Sequence, residues 1–462
     1  MKTLIDKNLV LAPGLAAIRA QFAVPTEFPP EVLAAAEGAA RRAPTAHADR
    51  TDMAFVTLDP ASSTDLDQAF TIERRGADLL LHYAIADVAW FVDDGGVIDI
   101  EAWKRGTTLY LPDGKAGLYP PVLAENAASL LPDGPRAAVI FSVRVAEDGA
   151  VKLDAVERAV IRSRAKLAYD SVRDSDLPEG FADLAGRITD AEARRGASRV
   201  DPPQQEVEAI GDGGYRLSFA PRLESEDRNA ALSLASNLAV AAALQAHHTG
   251  LFRVMAGPDD RAVRRLRQVA KALGLAWPDA MPLAAFELTL TGADPAQAAF
   301  MVALRRAGSG ASYVPYREGV VPWHAAMAAT YAHATAPLRR LADRYVVQAA
   351  LAIANGQEVP EVVSAAFEKL PPIMARADAI GGRIDRAVVD LAETVMLHGR
   401  EGEVLPAVIV DADEHGAHIQ LADLAVLASV KTTGRPGDRI SVKLLAADPV
   451  QRTLSFAVAD GG

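Results

Sequence analysis

The hydrophobic pattern of this chain changes period twice, and no single layer of helices or strands accommodates that. From Ala54 to about Val145 short β-rich runs, among them Ala54–Leu58, Leu79–Ile85 and Val139–Val145, alternate with Gly-Gly, Pro-Asp-Gly and Asp-Gly turns. Between about 160 and 395 helical spacing dominates, broken at Pro202-Pro203, Gly213-Gly214 and Gly308-Ser309-Gly310. Strands return from Glu403 to Val458, at Leu405–Val410, His418–Leu421, Ser441–Leu445 and Thr453–Val458, with the spacing of a small OB-type barrel. At 462 residues the chain exceeds one hydrophobic core. The predicted class is α+β: a short helical segment over 1–50 with helices at 14–22 and 31–43, a large mixed α/β domain over 51–397, and an all-β barrel over 398–462.

Composition narrows the chemistry. The chain has no cysteine, so disulfides, thiolate metal sites and cysteine nucleophiles are excluded and any metal sits on oxygen or imidazole. A net charge of −12 argues against nonspecific coating of nucleic acid, which runs on neutralising phosphates, and leaves room for a local basic channel. The most apolar stretch, Asn229 to His248, carries Asn237, Gln245 and His247 and is predicted to be a buried helix, with no membrane span. Met1 to Val10 lacks the apolar block of a signal peptide, so a cytoplasmic protein is expected. The helix predicted over Asp259–Gly274 carries Arg261, Arg264, Arg265, Arg267 and Lys271 away from its apolar face, the pattern of a solvated surface.

The segment from Leu58 to Phe70, Leu-Asp-Pro-Ala-Ser-Ser-Thr-Asp-Leu-Asp-Gln-Ala-Phe, follows a strand candidate. Pro60 and the Ser-Ser-Thr run disfavour a helix, so Asp59 ends the strand and a loop brings Asp65 and Asp67 back. Three carboxylates with no Lys or Arg close in sequence repel one another unless water or a cation neutralises them. Mg²⁺ suits such a set, because it takes oxygen ligands, keeps several waters and completes its shell with phosphate. A solvated acidic turn is the alternative that spacing alone leaves open, while an EF-hand is excluded by the missing D-x-D-x-D-G order and closing Glu.

The segment resembles the signature of the RNB catalytic domain of the RNase II/RNase R exoribonucleases. Further similar motifs follow in family order: Tyr83-Ala84-Ile85-Ala86-Asp87-Val88-Ala89, Arg105-Gly106-Thr107-Thr108-Leu109-Tyr110-Leu111-Pro112, and Tyr169 within Leu167–Val172. Leu251-Phe252-Arg253-Val254 and the run from His333 through Pro337-Leu338-Arg339-Arg340 to Asp343 complete the series. The resemblance covers roughly residues 50–395, and residues 403–458 resemble the OB-fold RNA-binding domain that closes most members. Its stacking aromatics are scarce here, leaving Phe456, His415 and His418. Asp59 lies so near the start that the family's cold-shock domains are expected to be missing.

The resemblance implies a Mg²⁺-dependent monomer that hydrolyses single-stranded RNA from its 3′ end to nucleoside 5′-monophosphates. It carries over Asp59, Asp65 and Asp67 as metal carboxylates, with Gln68 as an uncharged oxygen ligand where many members have a further Asp. Asp67 and Arg339 are the expected catalytic pair, with Tyr110, Tyr169, His333 and Arg340 along the RNA path. Pro337 fits the first turn of a helix capped by Thr335, with Leu338, Leu341 and Tyr345 turned inward, which places Arg339 near a positive helix end. Ala230-Ala231 replace a Glu pair usual in the family. The rivals are an inactive RNB-fold RNA-binding protein and a broader metal-dependent nuclease or phosphatase.

Overall fold

The computed structural model describes residues 3–5, 11–197, 204–211, 214–220, 223–290, 294–308, 310–413, 416–435 and 437–459; Pro202-Pro203, Gly213, Ser309 and His415 lie outside them. The first change of period becomes a five-stranded sheet. Its order is Ala48–Asp49, Val151–Ile161, Arg136–Val145, Asp78–Ala86 and Gln68–Arg75, antiparallel throughout except for the first pair. In register, Tyr83 lies between Phe70 and Phe141, so one face stacks buried aromatic and β-branched side chains.

The apolar stretch flagged in the sequence forms the helix Glu224–Ala246, which lies across this sheet beside the helix Leu341–Ala354. By length and composition it matches a membrane span, and 67% of that window is buried inside the protein. All-round burial explains why it shows no apolar stripe.

The two N-terminal helices, Leu11–Gln21 and Pro30–Ala40, join different cores. Pro30 opens the second at a position where its missing N–H costs nothing. The first lies on the 37-residue helix Glu361–Leu397 so closely that a Cβ at Gly14 would meet Leu391 at 2.5 Å. That long helix also carries the C-terminal barrel, closed in the order Val404–Asp413, Gly416–Leu421, Leu427–Val430, Thr453–Val458 and Arg439–Asp448. Strand alternation turns Phe456 into the barrel core at 6% exposure, so it is no stacking platform for RNA, in contrast to the expectation; His418 is partly exposed and bonds Ser429.

Candidate active site

A cavity of about 1720 Å³ opens where the loop after Asp59, the hairpin Leu109–Leu111/Gly114–Ala116, the start of the helix Glu224–Ala246 and the strand Gln204–Gly211 meet Arg339. Its lining carries eight carboxylate side chains and two cations, Lys115 and Arg339. The basic channel left open by the net charge is absent from this lining, which is acidic. The three predicted aspartates all line it.

Each aspartate is held differently. Asp59 ends the short strand Thr57–Asp59, which pairs in parallel with Lys166–Ala168. Burial pushes its pKa up to about 6, against the lowering pull of Arg339 and Lys166 and with a further upward push from Asp65. Asp67 is 3% exposed, and burial raises it further, to about 7, despite Arg339 at 3.6 Å and the Leu338 N–H donating at 2.7 Å. Asp65 receives the Lys115 ammonium on Oδ1 at 2.8 Å and the Tyr110 hydroxyl on Oδ2 at 2.9 Å. No Lys or Arg stands close to the three carboxylates in the sequence, and the fold brings Lys115, Lys166 and Arg339 to them from 48 or more residues downstream.

Arg339 is not in a helix. The helix begins at Leu341 with Arg340 as its N-cap, and residues 337–339 form a turn ahead of it. Leu338, Leu341 and Tyr345 are buried as predicted, but Thr335 caps nothing; its hydroxyl meets Ser233 at 2.9 Å. The turn is positioned from several sides. Asp343, fully buried, accepts the Thr335 and Ala336 N–H groups at 3.0 and 2.8 Å and the fork of Arg340 at 2.9 and 2.6 Å. Asn237 accepts the Ala334 N–H, and the Arg339 carbonyl accepts from the Thr107 hydroxyl and the Thr108 N–H. Gly106 lets this contact form: its φ is +74°, and a Cβ there would meet Ala377 at 3.0 Å.

Asp343→Ala leaves a partly buried guanidinium unpaired and two buried N–H groups without an acceptor. Its expected cost is about 3–5 kcal/mol of unfolding free energy, the range for breaking one side of a buried pair. Denaturant unfolding measures this, and a loss under about 1 kcal/mol, the worth of an exposed pair, contradicts the role.

Of the predicted RNA-path residues, Tyr110 and Tyr169 line the cavity. Tyr110 is 49% exposed, whereas the Tyr169 hydroxyl accepts from Asn229 at 2.9 Å, and burial raises its pKa to about 12. His333 and Arg340 are outside the lining. His333 accepts or donates at Nδ1 with the Tyr313 hydroxyl at 2.7 Å and packs edge-on to Tyr313 and Tyr331, and burial holds it well below the usual imidazole range. Arg340 has both ends of its fork on Asp343, which assigns it to the scaffold instead of RNA. Gln68 faces the cavity with its amide engaged: the oxygen accepts the Tyr83 hydroxyl and the nitrogen donates to the Thr335 carbonyl at 2.6 Å. It thereby ties the sheet to the turn that carries Arg339, a positioning role. Ala230 and Ala231 do face the cavity, where they supply no polar group.

The motifs in the sequence include Tyr83 and Asp343 without assigning either a role, and Lys115 lies in none of them. The Pro112-Asp113-Gly114 turn carries the signal for Lys115, since it folds a hairpin that sets that residue directly across from Tyr110. The three-residue spacing from Arg340 carries the signal for Asp343.

No group of three or more His, Asp or Glu side chains converges into a metal cage among the described residues. The carboxylate-rich lining nevertheless fits a hard ion of the Mg²⁺ type, which needs one or two carboxylates plus waters and phosphate. Asp59 and Asp67 are the fitting pair: both are driven towards protonation by burial that nearby cations do not offset, the condition a divalent ion relieves. Asp65, expected in the same set, is already neutralised by Lys115.

Residues 48–354 match the RNB domain, and residues 403–459 match the RNase II-type exonuclease C-terminal S1 domain. Ribonuclease R of Aquifex aeolicus is 26% identical over 416 residues, covering 83% of this chain and 58% of the relative. Ribonuclease R of Escherichia coli is 29% identical over 321 residues, covering 64% of this chain and 39% of the relative. The chain thus spans between about two fifths and three fifths of the length of these relatives. Among solved structures, Mycoplasma genitalium RNase R in complex with ribose methylated single-stranded RNA superposes with a TM-score of 0.87 at 20% identity, over 97% of this chain and 78% of that one. Yeast Ssd1, a pseudonuclease, superposes with a TM-score of 0.67 at 16% identity, over 86% and 53%. With the RNB match extending over more than half of its residues and the S1 match following it, this chain belongs to the RNase II/RNase R family of RNB-domain proteins.

Proposed function

We propose that the protein is a Mg²⁺-dependent exoribonuclease that removes nucleotides one at a time from the 3′ end of single-stranded RNA. The observation that carries this reading is Arg339 standing 3.6 Å from the buried Asp67 on the wall of a single acidic cavity. The cavity exceeds the 300–1,000 Å³ or so of a small-molecule pocket, a size suited to the end of a polymer. Its acidity fits a polyanion only when cations enter with it.

Asp59 and Asp67 would hold Mg²⁺, which supplies Lewis-acid stabilisation of phosphate oxygens and an activated water. The Arg339 side chain, 45% exposed, can turn its guanidinium to fork onto the phosphate and to follow its charge as that builds. Hydrolysis joins the water oxygen to phosphorus and breaks the bond to the 3′-oxygen of the preceding nucleotide. That oxygen takes a proton as the new 3′ end, and a nucleoside 5′-monophosphate leaves. The open face of Tyr110 offers a stacking platform for any base, with Tyr169 further along the lining. Contacts to the 2′-hydroxyl are the basis for preferring RNA to DNA.

A catalytically silent RNA-binding protein is the second reading, favoured by the likeness in fold to a pseudonuclease and by the uncharged Gln68, Ala230 and Ala231 at the cavity. One assay separates these. With 5′-labelled single-stranded RNA and DNA, with and without Mg²⁺, the expected result is a ladder shortening from the 3′ end of RNA alone, only with Mg²⁺. RNA retained without shortening establishes the binding protein, and equal attack on DNA establishes a broader nuclease.

A further inference from the structure

Resting on the Mg²⁺ reading above and extending it, the geometry points to Lys115 as a resident cation of the active site, which takes Asp65 out of the metal set and leaves a centre for one divalent ion.

Lys115 is built into position. It faces Tyr110 across the hairpin Leu109–Leu111/Gly114–Ala116, and the two side chains grip opposite oxygens of the same carboxylate, Asp65 Oδ1 at 2.8 Å and Oδ2 at 2.9 Å. The ammonium also stands 3.4 Å from Glu125, whose other oxygen accepts the Thr64 hydroxyl at 2.9 Å. The hairpin is braced from behind by Arg19 of the first helix, which forks onto Asp113 at 3.0 and 2.7 Å and reaches the Gly114 carbonyl at 3.3 Å. The carboxylate end is fixed as well: Ser129 donates to the Thr64 carbonyl and accepts the Leu66 N–H. With Lys115 at 23% exposure and Asp65 at 10%, the pair is shielded enough that its attraction is not simply screened away.

Charge decides the ion count. Three aspartates against Lys115 and Arg339 leave one negative charge on this part of the lining. One divalent ion and one phosphodiester bring that to neutrality, whereas a second divalent ion leaves two positive charges beyond what these three aspartates balance. Gln68 points the same way, because its neutral amide is engaged with Tyr83 and Thr335 and offers no replacement for the charge held by Lys115. Among the described residues no three carboxylates converge, which agrees with Asp65 being drawn to the hairpin.

The test is ion stoichiometry, read on the full chain without RNA by the loss of the free Mn²⁺ signal in electron paramagnetic resonance. The wild type is expected to bind one Mn²⁺, with any second ion at least about tenfold weaker. Lys115→Met and Lys115→Gln both bind two, the second variant keeping a hydrogen bond to Asp65 but no charge, and Lys115→Arg binds one. Two ions of similar affinity in the wild type, or one ion in both uncharged variants, overturns the assignment of Lys115. Failure of the underlying reading looks different: the wild type binds no Mn²⁺, or keeps its ion in Asp67→Asn.

Discussion

Asp67→Asn is expected to lower the rate of RNA shortening by more than about 10²-fold, since losing even an outer-shell partner of a metal site costs 10–100-fold. The fold should survive the change, because an Asn amide oxygen at this position still accepts the Leu338 N–H that Asp67 accepts at 2.7 Å. Only the charge is lost, and with it the attraction for a divalent ion and for Arg339. A single-turnover rate on labelled RNA, beside a thermal melt, measures both. Near-wild-type shortening in a folded variant would remove Asp67 from the chemistry and, with it, the proposed centre.

The same residue sets a pH dependence with a definite sign. Asp67 titrates at about 7 in the folded chain against an ordinary 3.8, so between those values the native state holds a proton that the unfolded chain has released. Stability is therefore fully present below about pH 4 and declines as pH rises through about 7. Asp59, raised to about 6, and Glu393, raised to about 7, act in the same direction. With a chelator present, melting temperature should fall as pH rises from 5 to 8. Added Mg²⁺ should recover more of it at pH 8 than at pH 5, because an ion binding only the native state stabilises it and must compete with the proton at low pH. An equal Mg²⁺ effect at both pH values would show that the ion does not bind these carboxylates.

The parts of this site legible in the sequence are those written in local chemistry. The strand ending at Asp59, the Pro-Ala-Ser-Ser-Thr loop that follows and the recurrence of strands after Glu403 all depend on neighbours within a few residues, and the structure has them. The inward set Leu338, Leu341 and Tyr345 was readable for the same reason, although the helix starts after Arg339 instead of before it. There the turn won because Asp343 takes two N–H groups that an earlier helix start would have placed elsewhere. What sequence could not give was partnership across the fold. Arg340 and Arg339 are adjacent and identical, yet one is locked on Asp343 and the other faces the cavity. Gln68 had an oxygen to offer a metal until the register of Asp78–Ala86 against Gln68–Arg75 brought the Tyr83 hydroxyl within reach of it. Phe456 falls on the inner face of a barrel strand, a matter of register that a one-residue slip would reverse.

Arg339→Ala should reduce kcat by about 10²–10³-fold, the range for removing one donor aimed at developing charge, with a smaller effect on KM. Arg339→Lys should recover little of that, because an ammonium cannot present two parallel N–H groups to a phosphate. The variant also bears on Asp67. Arg339 is the strongest influence opposing the upward push of burial on that carboxylate, so its removal raises the Asp67 pKa further. The acidic limb of the pH–rate profile should therefore move to higher pH in Arg339→Ala and stay near the wild-type position in Arg339→Lys, which keeps a charge there. A role confined to holding the turn makes the opposite forecast. The turn is fixed through backbone groups, with the Arg339 carbonyl accepting from Thr107 and Thr108, and those bonds are untouched by the side chain. If Arg339 were only structural, its variants would alter melting temperature and leave the acidic limb in place. A large fall in kcat with an unchanged melt and a displaced limb for alanine alone identifies the guanidinium as the group that meets the phosphate.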